Sequence, residues 1–302
     1  MIRNLASLRA LTAVAEHRSF TAAAAALGVS QPAVSRAVRE LERVCGFTLL
    51  ERTARSVRLT REGAVVLEDA RAILSAVRSA DERIAELVGL TRGRLHVAAT
   101  STIAPYVLPP FIGRFIERHP AINLRLTTAH TRDVQQMLLD YEIDLGLTEA
   151  PVSHPRIKAR RWRTDRLVVI ASPQHPLAGR RAVPASALGE ELLLLREPLA
   201  GTRAIVNAAL RAAGITPTRT VEVDGPEAIK QLVAHSRGIA IVSHATVTEQ
   251  VALGSLVVLD VAGLRIERPF FRLALAGHRA SPAARAFDAV LDERAPDRPK
   301  RR

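Results

Sequence analysis

The sequence predicts an α+β chain: a helical N-terminal region built around a helix-turn-helix, then one long helix, then a C-terminal α/β region. Three observations carry this. Phe20 to Glu42 reads as two short helices around a tight turn, Arg61 to about Gly89 holds one narrow apolar stripe, and from Arg94 strand-like alternation and helical periodicity take turns. At 302 residues the chain exceeds one typical domain, so more than one compact unit is expected.

In the first region Thr21 is placed to cap an Ala-rich helix that stops at Gly28, a residue free to adopt the left-handed conformation, and Ser30 is placed to cap the next helix. There Val34, Val38 and Leu41 recur at steps of four and three as an apolar stripe, leaving Gln31, Ser35, Arg36 and Arg39 off it. Such side chains suit DNA reading. Arg holds guanine O6 and N7 with two hydrogen bonds, Gln does the same for adenine, and a helix N-terminus attracts phosphate. An ordinary pair of packed helices with a solvated polar face fits the same spacing. After Cys45-Gly-Phe47, Leu49 to Gly63 reads as a hairpin wing carrying Arg52, Arg55 and Arg58, followed by a new helix start.

At these residues the chain resembles the LysR-type transcriptional regulators. The matching motifs are Leu5-x-x-Leu8-x-x-Leu11, Ser19-Phe-Thr-x-Ala-Ala, Ser30-Gln-Pro-Ala-Val-Ser-Arg36 and Arg52-x-x-Arg55-x-Val57-x-Leu59-Thr60-x-x-Gly63. Leu50 stands where the family usually has Phe and Cys45 where Leu is common, both apolar packing positions. The resemblance spans residues 1 to 292. It implies a winged helix-turn-helix over 1–61 that contacts DNA through Thr21, Ser30, Gln31, Pro32, Ser35, Arg36, Arg39, Arg52, Thr53, Arg55 and Arg58.

Net charge is +13, which favours a polyanionic partner. Distribution says more than the total. Residues 1 to 61 hold ten Arg and no Lys against Glu16, Glu40, Glu42 and Glu51, about +6, while 40 of the 43 basic residues overall are Arg, an imbalance that fits a GC-rich genome. The basic, Pro-broken tail 293–302 reads as a frayed end. The single Cys45 forms no internal disulfide and suits a reducing compartment. His96, His119, His130, His154 and His175 lack the close pairs of a zinc site, so neither metal nor cofactor is expected. No uncharged run approaches the roughly 18 residues of a membrane span. A cytoplasmic, nucleoid-associated protein with no membrane partner is the expectation.

The long helix, taken as a linker over 62–90, carries Val66, Ala70, Ile73, Val77, Ala80, Ile84 and Leu87 at alternating steps of four and three, with charges such as Glu68, Asp69, Arg78 and Asp81 around them. This is a coiled-coil seam and predicts a homodimer. Two recognition helices in successive major grooves then require an operator with dyad symmetry in double-stranded DNA. The resemblance further implies a homotetramer of two dimers and admits RNA polymerase as a partner.

From Arg94 the elements read strand 94–99, helix 103–119, strand 122–126, helix 133–139 and strand 143–147. They continue as strands or helices at 166–170, 192–195, 202–213, 220–223, 226–236, 238–242, 256–259 and 270–275, with a last helix from Pro282. Alternation of this kind indicates a parallel sheet with covering helices. The resemblance implies a two-lobed effector domain over 91–292, similar to periplasmic binding proteins. Lobe I is expected at about 91–162 and 266–292, and lobe II at about 163–265.

Open α/β sheets bind ligands where strands end and helices begin. Thr100-Ser101-Thr102, Thr128 to Thr131, Gly201-Thr202-Arg203 and Asp224-Gly225-Pro226-Glu227 are such junctions, although Ser, Thr and Gly also serve simply as helix caps. Glu149, in Thr148-Glu-Ala-Pro151, stands at a further family-like turn near the hinge. The resemblance implies an anionic metabolite held at the first and third junctions, by Thr100, Ser101, Thr102, Gly201, Thr202 and Arg203, although Arg203 also fits as a residue that simply sits on its helix. Glu149 at the turn and Thr128, Thr131 and Glu227 at the other two junctions complete the candidate set. Leu195-Arg-Glu-Pro198, Glu227-Ala-Ile-Lys230 and Ser281 to Phe287 look like the branch that regulates sulfur assimilation and carbon-fixation operons, which suggests a small sulfur, phosphate or carboxylate anion. Gly225-Pro226 replaces that branch's usual Ser-Thr and so lacks two hydroxyl donors.

The function read from all this is a sequence-specific transcriptional regulator tuned by a small anion, acting as activator or repressor. Two alternatives stand beside it. An effector-independent chromatin protein leaves the two-lobed half without a task. An α/β enzyme lacks the Gly-x-Ser-x-Gly elbow, the phosphate loop and the dinucleotide Gly fingerprint.

Overall fold

The computed structural model describes residues 4–52, 57–87 and 93–293, with the side chains of Arg52, Glu86 and Leu87 outside that description. Thr53, Arg55 and the tail beyond Glu293 also lie outside the described residues. The chain divides into two compact units, residues 1–90 and 91–302.

The first unit opens with α1 (Leu5–His17), whose Asn4 cap accepts the Ala6 N–H, and continues with α2 (Phe20–Leu27) and α3 (Gln31–Cys45). Two capping expectations are corrected. Ser19, not Thr21, caps α2, its hydroxyl accepting the Ala22 N–H at 3.3 Å, and Thr21 is an exposed residue inside the helix. Ser30 holds the N-cap position of α3 but makes no side-chain capping bond, and Pro32 in the first turn removes one of the donors that would need one. Gly28, at φ 66°, turns α2 into α3. Leu8, Leu11, Val14, Ala23, Val34, Val38, Leu41 and Leu49 close the core.

The wing pairs β1 (Leu50–Arg52) with β2 (Val57–Leu59), and Thr60 then starts α4 (Arg61–Leu87), its hydroxyl accepting the Gly63 N–H at 2.8 Å and donating to the Thr48 carbonyl at 2.9 Å. A Cβ at Gly63 would stand 2.0 Å from the Leu49 carbonyl oxygen, so only glycine lets the helix start against the wing. The seam expectation for α4 is corrected in its first half. Val66 and Ala70, together with Leu67 and Leu74, pack on the unit's own core, a wider apolar face than a bare seam provides. Val77 and Ala80 are half-buried, whereas Ile73 and Ile84 remain 39 % and 60 % exposed.

Among the described residues the second unit is one nine-stranded sheet with helices on its faces. In chain order it runs β3 (Gly93–Ala99), α5 (Ile103–Tyr106), α6 (Pro109–Arg118), β4 (Ile122–Thr128), α7 (Thr131–Leu139), β5 (Leu145–Thr148) and β6 (Ile157–Ala171). It continues through β7 (Leu192–Arg196), α8 (Gly201–Ala212), β8 (Arg219–Val223), α9 (Pro226–Ala234), β9 (Ile239–Ser243), α10 (His244–Ala252), β10 (Val257–Val258), β11 (Ile266–Leu275) and α11 (Pro282–Asp292). The single helix expected over 103–119 is broken, because Pro109 and Pro110 withhold the N–H donors that would continue α5. Ser243 caps α10, a helix the sequence reading passed over.

Within this sheet β4, β3 and β5 are parallel, as are β9, β7 and β8, and the antiparallel pair β11 and β6 joins the two groups. One lobe packs around Leu95, Phe111, Phe115, Leu147 and Phe287, the other around Val169, Leu193, Val206 and Ile241. Strands β6 and β11 carry the chain between the lobes. β6 runs unbroken past residue 162, and Ile266 packs in lobe II while Phe270 packs in lobe I, so β11 changes lobes at about Arg268, next to a bulge between Phe270 and Phe271.

Candidate functional site

On the first unit Pro32, Arg36 and Arg39 on α3 are exposed, as is Arg58 on β2. Ser35 is corrected: it is buried, accepts the Gln31 side-chain amide at 2.9 Å and so steadies the start of the helix from beneath. Arg39 Nε donates to the Ser35 carbonyl at 3.3 Å, which leans its guanidinium along α3. Glu42 is spent on structure, its Oε1 accepting the Leu49 and Leu50 N–H groups that lead into the wing.

On the second unit the segments after β3 and β5 meet those after β7 and β8 at the junction of the lobes, taken as the cleft, with the hinge strands β6 and β11 beside them. Two side-chain bonds cross the cleft, and a third ties the hinge strand β11 to the start of α8. Arg196 Nη2 donates to Ser101 Oγ at 3.0 Å, Tyr106 OH donates to Glu227 Oε2 at 3.1 Å, and Arg268 Nη1 donates to Thr202 Oγ1 at 2.8 Å. Arg268 anchors the hinge strands. Its Nε donates to Asp165 Oδ2 at 2.8 Å, its Nη1 also lies 3.2 Å from Glu149 Oε2, and Ser243 Oγ donates to Asp165 Oδ1 at 2.7 Å. Burial pushes the Asp165 carboxyl up, and the Arg268 charge and the two hydrogen bonds oppose that without cancelling it.

The structure therefore brings together Thr100, Ser101 and Thr102 at the start of α5, Glu149 after β5, Gly201 and Thr202 at the start of α8, and Glu227 on α9. Gly201 has a steric reason: a Cβ there would lie 3.0 Å from Glu149 Oε2. Arg203 is not brought in, and Thr128 and Thr131 show no contact with this set among the described residues. Thr128 is exposed at the end of β4 and Thr131 belongs to the first turn of α7 with its hydroxyl buried. Arg203 turns onto its own lobe, donating to the Arg196 carbonyl at 2.5 Å and lying 3.5 Å from Glu222, so it supports Arg196 from behind.

The sequence reading missed Arg196, Glu197, Tyr106, Lys230, Asp165 and Arg268. Glu197 grips Arg196 at 2.6 and 2.7 Å and accepts the Gly225 N–H at 3.2 Å, and so it occupies the start of α9 where Gly225-Pro226 offers no hydroxyl. Burial raises the Glu197 carboxyl, but the Arg196 and Gly225 bonds outweigh it and hold it below the ordinary range. Buried Lys230 lies 2.7 Å from Glu227 and over the Tyr106 ring, and the Glu227 carboxyl is lowered chiefly by that ammonium. Arg268 had a signal in the sequence. The β11 alternation puts it on the inner side with Ile266 and Phe270, and a buried guanidinium demands partners.

Among the described residues no group of His, Cys, Asp and Glu is arranged to hold a metal, and no helix is long and apolar enough to cross a membrane.

Comparison with known proteins gives two matching family profiles. One, described as a bacterial regulatory helix-turn-helix protein of the lysR family, matches residues 5–64, and the other, described as the LysR substrate binding domain, matches residues 89–296. A RuBisCO operon transcriptional regulator of Allochromatium vinosum is 38% identical over 293 residues, 97% of each chain. The regulatory domain of Synechocystis PCC6803 CcmR, solved in complex with 2-PG, is 30% identical with a TM-score of 0.62, covering 67% of this chain and 96% of that one. Full-length CbnR complexed with its target DNA is 26% identical with a TM-score of 0.64, covering 96% of this chain and 99% of that one. With one profile on the winged helix and the other on the two-lobed sheet, together spanning most of the chain, this protein belongs to the LysR family of DNA-binding transcriptional regulators and is not an enzyme.

Proposed function

We propose that the cleft of the second unit receives a small organic anion, phosphate- or carboxylate-bearing, and that its occupancy changes how the first unit acts on DNA. The observation that carries this is the convergence of hydroxyl-bearing junctions from both lobes on buried guanidinium groups, Ser101 on Arg196 and Thr202 on Arg268. The start of α8 adds an N-terminus whose cap, Ala200, supplies no side-chain acceptor. The 2-PG bound by CcmR is an anion of this class. The test is Thr202→Val, read by retardation of the DNA upstream of the protein's own gene over a 2-phosphoglycolate series. DNA binding without effector is expected to persist, while a coupling of about 1–3 kcal/mol, roughly 5- to 150-fold in affinity, is expected to vanish. A mutant that melts earlier yet responds normally would reduce Thr202 to a structural role.

DNA is read in this account by α3, with the wing residues Arg52, Arg55 and Arg58 on phosphate. Arg36→Ala is expected to weaken specific binding by about 1–3 kcal/mol and to relax preference at one base pair in each half-site, checked against a panel of operator variants. Unchanged discrimination would make Arg36 a phosphate contact. The exposed Ile73 and Ile84 on α4 support self-association through the second part of that helix. A charge on this apolar seam would face its symmetry mate, so Ile84→Glu is expected to shift sedimentation toward monomer and to lower operator affinity. An oligomer that stays intact would move the interface elsewhere. A dyad operator, a tetramer built from dimers, contact with RNA polymerase and a cytoplasmic, nucleoid-associated place follow as parts of the same proposal.

A further inference from the structure

We infer that the effector carries a hydrogen-bond donor beside its anionic group and that Glu149 receives it, an inference that rests on the anion reading above. Three buried polar atoms at one junction point to this. Glu149 is 3 % exposed and its Oε1 has no partner among the described residues, although its Oε2 faces Arg268 Nη1. Arg268 is 2 % exposed and commits Nε and Nη1, leaving Nη2 unmatched among the described residues. Thr100 is 4 % exposed with Oγ1 likewise unmatched, and the register that sets Ala99 opposite Leu147 puts Thr100 beside Thr148, the neighbour of Glu149.

Unmatched buried polar groups are costly, charged ones most of all, so such a cluster describes its complement. Arg268 Nη2 requires an acceptor and Glu149 Oε1 requires a donor. A bare phosphate or carboxylate satisfies the first and is repelled by the second. An anion with a hydroxyl or ammonium next to the acid group satisfies both.

Arg196 and Lys230 each already face a carboxylate from within the chain. Glu197 binds Nε and Nη2 of Arg196 and takes the start of α9, and Glu227 pairs with Lys230. An incoming anion therefore finds a buried charged donor without a carboxylate of its own at Arg268 Nη2, beside the carboxylate of Glu149. Two carboxylates, Glu149 and Asp165, share that single guanidinium, which favours a donor at this spot over a second acid.

The test is calorimetric titration of the full-length protein with three probes that share a phosphate and a carboxylate: 2-phosphoglycolate with no further donor, 3-phosphoglycerate with a hydroxyl, and O-phosphoserine with an ammonium. At least one donor-bearing probe is expected to bind roughly ten- to hundredfold more tightly than 2-phosphoglycolate. The advantage is expected to disappear in Glu149→Met, and which probe holds it identifies the donor. Should that variant not fold, the wild-type ranking alone decides. Equal affinities for all three overturn the inference and leave the anion reading standing, with water matching these atoms. A donor advantage that survives Glu149→Met also overturns it, and binding of none of the probes removes the anion reading and this inference together.

Discussion

Arg268→Met is expected to cost about 3–5 kcal/mol of stability in the second unit and to abolish the response to effector. The guanidinium lies between Asp165 at 2.8 Å and Glu149 at 3.2 Å, all three buried, on the strand where the chain passes from one lobe to the other. Methionine fills similar space but leaves two carboxylates without their cation, and an uncompensated buried charge is among the most damaging changes a core can suffer. Asp165 offsets part of the loss by taking up a proton more readily than its ordinary value, a direction in which burial already pushes it. A melting curve gives the first number and an operator-binding titration with 2-phosphoglycolate the second. Wild-type melting would mean that the three groups are matched by solvent and that the hinge does not depend on them.

Gly63→Ala is expected to disable DNA binding through the fold of the first unit. The added carbon would stand 2.0 Å from the Leu49 carbonyl oxygen and 2.8 Å from its carbon, backbone atoms that cannot swing aside as a flexible side chain would. The wing must then separate from α4, which also breaks the Thr60 bonds to Thr48 and Gly63. Overpacking of this severity costs about 1–3 kcal/mol or more. Operator binding is expected to fall, with effector titration of the second unit preserved. Normal operator affinity would show that the wing yields at little cost.

The parts of the fold written in local chemistry were legible in the sequence. The 3.6-residue stripe of Val34, Val38 and Leu41, the glycine stop at Gly28 and the strand alternation after Arg94 each depend on neighbours a few residues away. One difference is local, at a helix cap, and the others arise where a choice is settled at longer range. Both Ser19 and Thr21 are acceptable caps, and the backbone angles at Ser19 decide between them. Val66 and Ala70 fit a seam, yet the packing of α1 against α4 takes them into the core.

In the cleft the Thr and Gly junctions stood out because capping residues are recognisable in sequence. Their partners did not, because Arg268 meets Thr202 across 66 positions and Tyr106 meets Glu227 across 121. For Arg203 both a ligand contact and a helix residue fit the sequence, and its bond to the Arg196 carbonyl, seven positions back, decides for its own lobe.

Hydrogen exchange of the full-length protein with and without 2-phosphoglycolate tests the central claim most directly. If the anion sits between the lobes, amides at the α5 and α8 junctions, around Thr100 to Ala104 and Gly201 to Val206, and along the hinge strands near Asp165 and Arg268 should exchange more slowly in its presence. Protection that appears elsewhere on the second unit, with these segments unchanged under conditions where the compound alters operator binding, would contradict the account.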